Sequence, residues 1–87
     1  MANMTRSKEY TAGMRALLKE KKIDCHARAI DAHYIRISAP AYEMPFSLED
    51  RKTIKEAAIS LGMIGVRGTP IDTSVAGDPL NLFFWIP

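Results

Sequence analysis

Cysteine is almost missing from this chain: among 87 residues only Cys25 carries a thiol. One thiol closes no internal disulfide, which excludes a disulfide-stapled secreted scaffold and suits a reducing compartment. Long apolar runs are missing too. No stretch approaches the roughly 20 residues that a membrane span needs, so no membrane association is expected. The opening MANMTRSKEY has no apolar core of the signal-peptide kind, and the expected compartment is the cytoplasm. There is no internal repeat, low-complexity tract or interdomain linker, so residues 1–87 are expected to form a single domain. A Walker loop, a GxGxxG fingerprint, a CxxC pair and a recognition helix are likewise absent.

What is present is an ordinary globular composition, 47% hydrophobic and 25% charged, which argues against disorder. At 87 residues the chain is near the lower end of what folds without staples. The net charge of +2 is unevenly spread. Residues 1–22 hold six basic side chains against two acidic ones, a surplus of four; the remainder holds six against eight. Such a balance permits an anionic partner without requiring one.

Residues 5–22 read as a helix. Thr5 or Ser7 can cap its start, and Tyr10, Met14, Leu17 and Leu18 recur at helical spacing. Gly13 weakens the pattern by roughly 1 kcal/mol relative to alanine. The closing KEKK sets Lys19, Lys21 and Lys22 beside the negative end of the helix dipole, where a solvated terminus is sufficient explanation. Residues 23–39 then switch to a period of two. Ile23, Cys25, Ala27 and Ala29 fall on one side, Asp24, His26 and Arg28 on the other; after the loop, Ile35 and Ile37 oppose Tyr34, Arg36 and Ser38. This is a hairpin without an Asn-Gly or Asp-Gly turn, so its loop should be odd in length and at least three residues long. Two registers fit, one with Arg28 opposite Arg36, the other with Arg28 opposite Tyr34 and His26 opposite Arg36.

After APAYEMP, Ser47 reads as the cap of a second helix, with Asp50 three residues on. Ile54, Ala57, Ala58 and Leu61 form its apolar stripe and Gly62 its stop. Met63–Val66 reads as a short strand and residues 68–79 as a long loop full of turn formers. The final LNLFFWIP reads as a strand, with Leu82, Phe84 and Ile86 facing one way and Asn81, Phe83 and Trp85 the other. The order α-β-β-α-β-β gives an α+β class: a three- or four-stranded, mainly antiparallel sheet with two helices packed on one face.

The reactive residues form no constellation. Cys25 and His26 are strand neighbours pointing to opposite faces, so they cannot readily share an ion with each other or with His33, and no metal or other cofactor is expected. Cys25 reads as a small buried hydrophobe rather than a nucleophile. The serines lie at no recognisable spacing from a histidine, and Glu49 and Asp50 open a helix, where acids are favourable for structural reasons. GVRG, residues 65–68, fits the GxxG pattern of KH-type RNA binders but lacks their helical flanks, and a strand followed by a tight turn explains it. Catalysis is therefore not expected; its weakest form would use Asp72 or Asp78 in loop 68–79.

The sharper feature is a face. His26, Arg28, Tyr34 and Arg36 gather on one side of the hairpin, and the second set of tail residues, Phe83 and Trp85, should lie beside them. The competing explanation is that Asp24, Asp31 and water satisfy the basic side chains, while the long loop covers the aromatic ones. Arginine interleaved with aromatic rings is the composition of protein hot spots and also of base-stacking platforms. The expected function is thus a non-catalytic binding protein that docks on a larger protein or nucleoprotein complex. Its size and lack of a site suggest an inhibitor or adaptor of the phage or mobile-element kind, anti-CRISPR proteins included. The alternative is binding of RNA or single-stranded DNA through the same face, helped by Lys19, Lys21 and Lys22. Homodimerisation through that face is a further expectation.

Overall fold

The computed structural model describes residues 4–74 and 77–87; of the loop read over 68–79, residues 75 and 76 lie outside it, as do residues 1–3 of the opening segment. Helix α1 spans Thr5–Glu20, strands β1 and β2 span His26–Ala29 and Tyr34–Ser38, helix α2 spans Leu48–Ser60, and strand β3 spans Asn81–Trp85. The class is α+β, and the three strands form an antiparallel sheet in the order β1-β2-β3. Met63–Val66 does not make a full fourth strand. Only Ile64 enters the sheet, through an isolated bridge to Trp85, before a single 3-10 turn at Val66–Gly68. Arg67 takes a positive φ of 58° in that turn, which ends the extended run.

Alternation in the strands decides the layering. Ala27, Ile35, Ile37, Leu82 and Phe84 point to the helical side and are buried with Met14 and Leu18 of α1 and Ile54, Ala57 and Ala58 of α2. The two helices therefore share one face of the sheet. Leu61 packs against this core and approaches α1 at Gly13, where an added methyl group would lie 3.3 Å from a Leu61 methyl carbon. The missing side chain at Gly13 thus gives close helix–helix contact in return for its weaker helix propensity.

The ends of α2 follow the sequence signals. The Asp50 N–H donates to Oγ of Ser47 at 3.0 Å, and Gly62 adopts φ 84° while the Met63 N–H reaches back to the Ala58 carbonyl. This is a glycine-terminated helix end. The start of α1 differs from expectation. Met4 stands at the cap position and no side chain caps it. Ser7 lies inside the helix, fully buried, donating to the Met4 carbonyl, and Thr11 donates to the Ser7 carbonyl. A hydroxyl that bonds back to the preceding turn can be buried without an unmet polar group, so these residues join the apolar stripe.

The hairpin register is Arg28 opposite Arg36, with Ala29 opposite Ile35. Residues 31–33 form its loop, closed by the Ile30 N–H donating to the Tyr34 carbonyl. Asp31 replaces the missing Asn-Gly signal: its Oδ1 accepts from the N–H groups of His33 and Tyr34. Such an Asx arrangement holds a turn without glycine.

Candidate functional site: the open face of the sheet

The strand residues that do not face the helices form the second side of the sheet. Across the three strands, His26 stands opposite Ser38 and Ser38 opposite Asn81; Arg28 opposes Arg36, and Arg36 opposes Phe83; Tyr34 opposes Trp85. The sheet therefore brings His26, Arg28, Tyr34, Arg36, Phe83 and Trp85 together on one surface that neither helix covers. Lys19, Lys21 and Lys22 are exposed but belong to the end of α1 and the turn after it, in the helical layer, and do not join this group.

Tyr34 is the centre of an aromatic cluster. Its ring stacks on Trp85 with centroids 5.1 Å apart at 23°, and meets Phe83 at 6.1 Å in a tilted arrangement. Cross-strand pairing at Tyr34–Trp85 and the diagonal to Phe83 make these contacts geometrically necessary. Trp85 is half-buried and anchored by two backbone hydrogen bonds to Ile64, so it is neither fully core nor free. Phe83 remains 44% exposed. Among the described loop residues, Thr69–Asp72 flank an open cleft of about 450 Å³ along β3, with Phe83 and Trp85 on the other wall.

The arginines are the electrostatic oddity. Arg28 and Arg36 sit in directly opposed positions, where like charges destabilise a sheet. Neither has an ion-pair partner among the described residues. Asp31 is engaged by its own turn. Arg15, by contrast, finds a structural role: its guanidinium donates to the Ala27 carbonyl at 2.6 Å, on the outer edge of β1. Nε of Arg36 is shielded from water and has no acceptor among the described residues. An unmet buried donor of this kind costs roughly 1–3 kcal/mol.

The groups considered for catalysis are placed as structural parts. Burial pushes the Cys25 thiol up, with Asp24 adding to the effect and Arg15 opposing it. A raised thiol makes a poor nucleophile at neutral pH. Asp72 accepts from the Ser74 N–H and Asp78 from the Leu80 N–H, and these bonds hold both carboxyls below the usual carboxylate range. Such groups are ionised turn-formers at neutral pH, poorly matched to proton transfer. Among the described residues no cluster of three or more acidic, histidine or cysteine side chains could hold a metal ion. No helix among them is long and apolar enough to cross a membrane.

Two features were not visible in the sequence. Lys55 is buried on α2, its ammonium donating to the Ser74 carbonyl at 2.6 Å and so tethering the long loop. Its partner lies too far along the chain for a local pattern to report it. The connection before α2 exposes Tyr42 and Met44, and the first residue of α2 exposes Leu48, a second group of large apolar side chains. No protein-family model matches this chain, and no curated protein or solved structure gives a significant match to it.

Proposed function

We propose that this chain is a non-catalytic binding protein of the cytoplasm whose open sheet face docks on a larger protein or nucleoprotein complex. It would act as an inhibitor or adaptor, in the manner of small proteins carried by phages and other mobile elements. One observation carries the reading: an aromatic cluster and two opposed arginines, without an acidic partner among the described residues, share a sheet face that neither helix covers. Arginine, tyrosine and tryptophan are the residues that concentrate binding energy at protein interfaces. A face that opposes two like charges also sacrifices some stability, as functional sites do when stability is traded for activity.

Binding of RNA or single-stranded DNA is the competing reading. Two arguments weigh against it. Tyr34 and Trp85 stack on each other rather than offering separate faces for bases. The helical lysines that would extend a phosphate track lie in the other layer. A photo-crosslinking amino acid placed at position 83, and a control at exposed Ile59 on α2, distinguishes the readings in cells. A protein adduct at position 83 that is missing from position 59 is expected. Nucleic-acid adducts at position 83 overturn the protein reading, and equal adducts at both positions overturn the choice of face.

A further inference from the structure

Stability does not explain why two arginines are opposed at the middle of the open face. They repel each other, and neither has an acidic partner among the described residues. What this pair lacks is what one carboxylate provides: neutralising charge and acceptor oxygens for both guanidinium groups.

We infer that Arg28 and Arg36 form a clamp for a single Asp or Glu side chain on a protein partner, seated beside Phe83. The inference rests on the open face being the docking surface proposed above, and names the chemistry that the face selects. A guanidinium offers a planar fork that matches a carboxylate with two parallel hydrogen bonds. Arg36 occupies the central strand, with Arg28 on one side and Phe83 on the other. An acid placed between the arginines therefore has an apolar contact one strand away. Charge complementarity fixes the sign of the partner: β1, β2 and β3 contain no acidic residue at all. It also separates the occupants. A phosphate backbone needs a long track of charges, whereas the strands of this face carry one charged cross-strand pair, with Arg15 and Lys8 of α1 beside Arg28 at one edge. A second copy centred on the same spot would bring two further arginines against the first two.

The test uses the full chain and peptides selected on it from a random display library, then synthesised with a fluorescent label. The expected peptides carry Asp or Glu next to Leu, Phe or Trp. Replacing that acid by its amide, or making Arg36→Gln or Arg28→Gln, should weaken binding about 10- to 100-fold. Arg36→Lys keeps the charge and loses the fork, so it should recover only part of that loss. Unchanged far-ultraviolet circular dichroism keeps a folding defect from imitating the result. Selected peptides without an acid that still lose binding with Phe83→Ser overturn the clamp and leave the docking face standing. Peptides indifferent to Phe83→Ser, Arg28→Gln and Arg36→Gln overturn both. A labelled oligothymidylate that outcompetes the acidic peptides, with affinity falling steeply with salt and with Arg36→Gln, overturns the clamp in favour of phosphate. Concentration-dependent dimerisation that Arg36→Gln abolishes overturns it in favour of a second copy.

Discussion

Phe83 and Phe84 are adjacent in β3 and chemically identical, yet 44% of one and 2% of the other is exposed. Their difference is the difference between the two faces of the sheet. Phe84 points to the helical side, among Ile35, Ile37 and Leu18, and its burial drives folding. Phe83 points to the other side, opposite Arg36 and in a tilted contact with Tyr34, where neither helix covers it. A pleated strand assigns these surroundings by parity alone. The same rule puts Ala27 and Ala29 on the core side and His26 and Arg28 on the open side. One face is thus explained by stability and the other is not.

The contrast can be broken by substitution. Phe84→Ala should have the largest effect, destabilising by about 3–5 kcal/mol, enough to unfold a chain of this size under mild denaturant. Chemical denaturation followed by circular dichroism measures it; a neutral result would mean that β3 is not packed as described. Trp85→Ala should fall between the faces, at about 2 kcal/mol, because its half-buried ring loses Tyr34 while the backbone pairing to Ile64 persists. Ser47→Ala removes the cap of α2 and should lower stability by about 1 kcal/mol, leaving the open face intact. Phe83→Ala should change stability by about 1 kcal/mol or less while removing peptide binding. A loss comparable to that of Phe84→Ala would make Phe83 core.

The smallest effect concerns pH and sharpens the picture at the edge of the sheet. The Leu80 N–H holds the Asp78 carboxyl low in the folded state. A depressed carboxyl adds stability above its unfolded value, and that contribution disappears as pH falls through the folded value. Asp78→Asn should therefore be slightly less stable than the unmodified chain at pH 7, and the gap should close below about pH 4. A gap that widens on acidification would contradict the assignment. Both proteins need only be melted across a pH series.

Much of this contrast was legible in the sequence because parity is a local property. The alternation of Ile35 and Ile37 with Tyr34, Arg36 and Ser38, and of Leu82 and Phe84 with Phe83 and Trp85, needs no knowledge of distant residues. Helix α2 was equally readable, since Ser47 and Gly62 act on backbone groups within a few residues. The unreadable parts depend on distant partners. Lys55 is buried because its ammonium reaches Ser74, nineteen positions away. Ile64 stops after one bridge because the chain must turn at Arg67. The register that sets Arg28 against Arg36 was one of two that the pattern allowed, and Asp31 now explains the turn that fixes it. The shielding of Arg36 Nε depends on its neighbours across strands, so no sequence pattern reports it.

One measurement bears most directly on the division between a face kept for folding and a face kept for binding. It is the urea midpoint of the double variant Arg28→Gln/Arg36→Met, which removes both charges while Met retains the apolar stem at the half-buried position 36. If the arginines serve a partner, removing their repulsion and the unmet donor should leave the midpoint unchanged or raise it. A clear drop, of about 1 kcal/mol or more in unfolding free energy, would show that the pair stabilises the fold and contradict the reading of this face as a docking surface.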